Sequence, residues 1–141
     1  MLLVYCIGLL DPALLPRFKR TRFYGARDFE LISGIVGRFS RLATTPNVLT
    51  EVSNLSPRLE ESFGKDYFQT FSREIALLDE RYVQSRVAMR NVHAAWLGLT
   101  DAAVIEVARG EFLVLTADVD LYLALTKEGV DCINYNHIRT I

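Results

Sequence analysis

The sequence has few residues that would hold a metal through sulfur or nitrogen: two cysteines and two histidines in 141 residues. Cys6 and Cys132 lie singly in apolar runs with no CxxC partner, and His93 and His137 have no second ligand at metal spacing. A zinc centre or a disulfide framework is therefore not expected, and reduced, packed thiols in a cytoplasmic protein are. Net charge is also scarce, since 16 Lys and Arg against 17 Asp and Glu leave −1. No global field draws such a chain to nucleic acid or to a membrane, and an anionic partner must meet a local patch. The apolar opening MLLVYCIGLL has no basic n-region and no small-residue cleavage site, and Asp11-Pro12 ends it well short of the ~20 residues of a membrane span. It reads as part of the fold, with no membrane partner. Internal repeats, low-complexity tracts and linkers are absent as well.

What is present suits one globular domain over residues 1–141. Half of the residues (50%) are hydrophobic, and a domain of this length buries roughly 68% of the surface of its unfolded chain. Ile32, Ile35, Val36 and Phe39 repeat at helical spacing after Asp28, and Tyr67, Phe68, Phe71, Ile75 and Leu78 do so after Asp66. Thr45 as N-cap and Pro46 at the first helical position start another helix, directly after a short apolar stretch at Leu42 and Ala43. Residues 84–97 and Asp101–Ala108 are further helix candidates, ended by Gly98 and by Arg109-Gly110. EFLVLT (111–116) and VDCINY (130–135) are short and apolar enough to be buried strands. Strands separated by helices predict an α/β fold with parallel pairing and helices on both faces of the sheet.

On that scaffold the acids stand out. Ligands of an open parallel sheet gather outside the carboxyl ends of its strands, and Asp118 and Asp120 follow FLVLT at such an end. Asp101 opens a helix face that continues through the inward-packing Ile105 and Ala108, although an acid in a first turn also simply suits the helix dipole. Glu51 borders the stripe made by Val48, Val52 and Leu55, a position also common for solvated glutamates. Carboxylates that converge repel one another, and a divalent cation relieves this; oxygen ligands without His or Cys favour Mg²⁺ or Mn²⁺ over zinc. Such a cation supports hydrolysis of a phosphodiester. A phosphatase or a receiver-type signalling domain also keeps acids at strand ends, but a receiver wants them behind an early strand, and none is visible there.

The segments TPNVLTEVSNL, GLTDAAVIEVA and LVLTADVDLYLALTKEGVDCINYNHIR fall between residues 45 and 139, and with the order of their acids they resemble the PIN domain, a nuclease fold named for the N-terminal domain of a pilus-motility protein. The resemblance implies a three-layer α/β/α fold with a mostly parallel central sheet. It also implies Mg²⁺- or Mn²⁺-dependent cleavage of single-stranded RNA, often by the toxin of a toxin–antitoxin pair, with an antitoxin protein and a second copy of the chain as further partners. Carried over residue by residue, Glu51, Asp101 and Asp118 match the catalytic, metal-binding acids, Asp120 is an additional or alternative metal ligand, and Thr116 is a supporting hydroxyl.

The family also opens with a central strand ending in a D-x-N motif whose Asp is its first metal ligand, and this chain starts at Met1 where the residue two after that Asp would stand. The expectation is an N-terminally truncated PIN-like domain, through an upstream start or through true loss of the strand. With the loss comes an alternative function, that of a catalytically inactive binding module. In either case the resemblance makes LLVYCIGLL the first helix, although its β-branched and aromatic residues would let it pass for a strand. A candidate RNA surface is PRFKRTRFYGAR (16–27), where Arg17, Lys19, Arg20 and Arg22 can hold phosphates. The interleaved Phe18, Phe23 and Tyr24 either stack on bases or fold back onto the core.

Overall fold

The structure, a computed structural model, describes residues 1–55 and 65–139. Helices and short strands alternate, an α/β chain that divides into two compact units, Met1–Leu42 with Thr50–Asp79 and Ala43–Leu49 with Glu80–Ile141. The described strands form two two-stranded sheets, β1 (Ala43–Thr44) with β2 (Asp79–Glu80) and β3 (Val114–Thr116) with β4 (Cys132–Asn134).

In the first unit, LLVYCIGLL is helical: α1 spans Leu2–Leu10, with Val4, Cys6, Ile7 and Gly8 buried. Its leucines favour a helix while the burial of so many positions hides any periodicity from the sequence. Asp11 ends α1 by donating its N–H to Ile7 O at 3.0 Å, and its carboxylate then accepts from Ala13 N at 2.9 Å to start a 3-10 helix at Pro12–Arg17. The helix α2 (Ala26–Val36) approaches α1 at Gly8, where an added Cβ would lie 2.1 Å from the Phe29 ring. Glycine is required there by the closeness of two helices. Ile32 enters the core, but Phe39 lies beyond the end of α2 and is 46% exposed, so it does not extend the apolar stripe as its spacing suggested. The helix α4 (Asp66–Ile75) packs on α1 with Tyr67 and Phe71 buried; Leu78, read as part of its stripe, falls after its last turn.

The second unit begins with the start of α3 (Pro46–Asn54), capped by Thr45 Oγ1, which accepts from Val48 N at 3.3 Å as the local sequence indicated. Residues 84–97 do not form one helix. They form α5 (Ser85–Ala88) and α6 (Ala94–Leu97), parted at Asn91, whose Oδ1 accepts from His93 N at 2.9 Å while its Nδ2 donates to Glu106 at 3.0 Å. An asparagine side chain that takes a backbone N–H competes with the helix, and here a partner distant in sequence holds it in place. Both short helices pack on α7 (Leu99–Ala108) through Ala88, Ala94, Ala102 and Ala103, small enough to permit a close approach.

The opposite face of α7 carries Ile105 and Ala108 into a core with Leu121, Ala124, Leu125 and Val130, next to Val114 of β3 and Cys132 of β4. Burying one such leucine stabilises the fold by about 1.5–3 kcal/mol. Between β3 and β4 runs α8 (Val119–Lys127), closed by Gly129 at φ 68°, with Val130 N donating to Leu125 O at 2.9 Å and Gly129 N to Thr126 O at 3.2 Å. These two hydrogen bonds satisfy carbonyls of the last turn as the chain turns into β4. The strands pair in parallel, with Val114 opposite Cys132, Leu115 opposite Ile133 and Thr116 opposite Asn134, and α9 (Tyr135–Ile138) follows β4 directly. Among the described residues no helix is long and apolar enough to cross a membrane.

Candidate functional site

Two parallel strands in register open side by side at their carboxyl ends, and the residues that leave them are polar. From β3 the chain runs through buried Thr116, whose Oγ1 accepts from Asp118 N at 3.0 Å and so bends the backbone out of the strand. Asp118 then caps α8: its Oδ1 accepts from Asp120 N at 2.8 Å and from Leu121 N at 3.0 Å. The cap leaves the second oxygen of Asp118 outside these two bonds. Asp120 lies in the first turn, and both acids are exposed at the positive end of the helix dipole. Thr116, Asp118 and Asp120 thus leave the strand in succession, and the Thr116 hydroxyl holds the backbone N–H of Asp118.

From β4 the chain leaves through Asn134 and Asn136, neither of which the sequence reading selected. Asn134 is 2% exposed, and its Oδ1 accepts from Asn136 N at 3.0 Å. Asn136 reaches across to the other strand, donating Nδ2 to Ala117 O at 2.8 Å. Because Oδ1 of Asn134 takes a backbone N–H, the orientation of its amide follows from its partner. Its Nδ2 is buried without a hydrogen-bond partner among the described residues. A buried donor in that condition costs about 1–3 kcal/mol. Opposed residues of paired strands share a face, so Asn134 stands beside Thr116 on the same side of the sheet. The available signal was an amide directly after an apolar strand run, at the end where ligands of parallel sheets bind.

The other selected acids lie on other helices. Asp101 is half-buried in the first turn of α7, in the same unit as Asp118 and Asp120. Glu51 is exposed on α3, on the part of that helix that belongs to the first unit. Among the described residues no group of three or more His, Cys, Asp or Glu side chains is arranged to hold a metal ion. A complete protein cage for a cation is therefore not formed by them. Mg²⁺ has a lesser requirement, commonly one or two carboxylates completed by water and substrate phosphate, and the exposed pair at the start of α8 matches that donor chemistry.

The basic segment lies in the first unit. Arg17, Lys19, Arg20 and Arg22 are all exposed, whereas the aromatics divide: Phe18 is buried and Tyr24 half-buried, but Phe23 is 70% exposed under the Arg22 guanidinium, 4.6 Å from its ring centre. One ring of the three is thus presented outward. His93 Nε2 lies 3.3 Å from Glu128 Oε1, and Arg109 pairs with the other oxygen of Glu128 at 2.8 Å and with Glu106 at 3.2 Å. Both cysteines are free. Burial, with the charge of Glu74 as a second cause, pushes the Cys6 thiol up to about 12, so it stays protonated and unreactive at neutral pH. Compared with family models, curated proteins and solved structures, the chain finds no match.

Proposed function

We propose that the chain is a Mg²⁺- or Mn²⁺-dependent endonuclease of the PIN type acting on single-stranded RNA. The observation that carries this reading is the exit of β3, where a buried threonine and a helix cap fix Asp118 beside Asp120 at the carboxyl end of a parallel strand. In this reading the three-layer α/β/α arrangement is the finer architecture, and Glu51 and Asp101 are the further acids that the resemblance implies. A cation held by Asp118 and Asp120 and shared with a phosphate would neutralise charge on the phosphoryl group and acidify a water. The protein's own part is positional: Thr116 and the cap bonds hold Asp118 in one conformation, and the exposed cations of 17–22 with Phe23 offer contacts for phosphates and an unpaired base. A toxin paired with an antitoxin protein, and a homodimer, are settings that the resemblance adds to this reading without following from it.

A second reading, a binding module without turnover, is favoured by one observation, that no three candidate ligands gather among the described residues. End-labelled single-stranded RNA incubated with the pure chain in Mn²⁺, in Mg²⁺ and in chelator separates the two. The nuclease reading expects endonucleolytic products with metal and none with chelator. RNA retained on the protein but uncut under all three conditions would establish the binding module instead.

A further inference from the structure

We infer that Asn134 Nδ2 is a donor to a non-bridging phosphate oxygen of a single-stranded RNA bound where β3 and β4 end. This rests on the phosphodiester reading above and adds to it a residue that recognises the substrate. A phosphodiester presents only acceptors, and the β3 exit presents carboxylates, which repel it. Binding there calls for a donor that brings no competing charge to the acids. The amide of Asn134 has that chemistry: it is neutral, its orientation is set by the bond from Asn136 N to Oδ1, and its Nδ2 has no hydrogen-bond partner among the described residues.

Its place also fits. Asn134 is in register with Thr116, whose hydroxyl holds the backbone of Asp118, and the bond from Asn136 to Ala117 ties the two exits together. The donor at the end of β4 therefore stands beside the end of β3, which leads into Asp118 and α8, a helix of nine residues with its positive end there. Nδ2 is closed to solvent in the free chain, so an incoming oxygen must loosen the exits locally. The exposed tie from Asn136 to Ala117 joins the two exits, and its loosening is part of this inference. An acceptor that arrives relieves the unpaired donor, and this favours the bound state.

The test is a ¹⁵N spectrum of the intact chain titrated with a short single-stranded oligoribonucleotide in Ca²⁺, with the side-chain NH₂ pair of Asn134 identified by its loss in Asn134→Ser. That pair should shift saturably, together with the pair of Asn136. Asn134→Asp should weaken binding roughly tenfold or more, because a hydrogen bond to a charged group is replaced by repulsion. If RNA binds and the Asn134 pair stays still, the inference is wrong, whether or not RNA is cut. If the pair shifts while Mn²⁺ yields no cleavage, the donor stands and the nuclease reading falls. Should Asn134→Asp fail to fold, the wild-type spectrum alone decides.

Discussion

The exits of β3 and β4 are built alike and end differently. After each strand comes a helix whose N-cap side chain accepts the backbone N–H two residues on, Asp118 from Asp120 and Asn134 from Asn136. At β3 the capping group is an exposed carboxylate with an oxygen to spare. At β4 it is a buried amide with an N–H to spare. The difference teaches that a cap accounts for only one atom of each side chain. An exposed carboxylate oxygen is hydrated in any fold, whereas a closed-off amide N–H is held at a free-energy cost, and it is the more informative of the two.

The comparison breaks most visibly if the spare atom at β4 is changed while the cap is kept. Asn134→Asp preserves Oδ1 for Asn136 N but puts a carboxylate where a neutral amide was. At neutral pH it should destabilise the chain by more than the about 1–3 kcal/mol of an unpaired neutral group. Burial raises the folded-state pKa of the introduced acid above its unfolded value of about 3.9. The variant is therefore close to wild type in stability below that value, and the deficit grows as pH rises through the folded pKa. Urea melts across the acid range read this directly, and a deficit independent of pH would mean that the group is not closed off.

A smaller effect sharpens the same contrast. Asp118→Ala removes a cap from a nine-residue helix and should cost about 1 kcal/mol. Asn134→Ala removes a cap from a four-residue helix and an unpaired donor at once, so its two consequences oppose and the net change should be the lesser. Chemical denaturation of both variants at one pH checks the order. An Asn134→Ala chain weakened more than Asp118→Ala would show that the amide makes a bond that stabilises the free protein.

The two exits were not equally legible in the sequence. Asp118 announces itself, because an acid after EFLVLT needs only the strand and its direction to be noticed, and Thr45-Pro46 announces α3 through local capping chemistry. Asn134 looks like an ordinary turn residue until Thr116, 18 positions earlier, is known to lie opposite it. The same applies to the break between α5 and α6, which depends on Asn91 finding Glu106 across 15 residues. Periodicity failed at α1 for a different reason: with so many of its positions buried, an apolar run carries no stripe to read. The pattern alone left helix and strand both open there. Composition and capping thus anticipated the alternation of helices and strands and the acids at the β3 exit, while partners set by tertiary pairing lay beyond them.

Asp118 is both a cap and the proposed catalytic carboxylate, and Asp118→Asn separates the roles, since asparagine caps a helix about as well as aspartate. The decisive measurement is Mn²⁺-dependent cleavage of single-stranded RNA by wild type and Asp118→Asn, with thermal melts of both. Cleavage should fall by roughly 100- to 1,000-fold, the scale seen when one electrostatic group is removed from a reacting centre, while the melting temperature stays nearly unchanged. Cleavage at the wild-type rate by the variant would contradict the site and leave Asp118 as a helix cap alone.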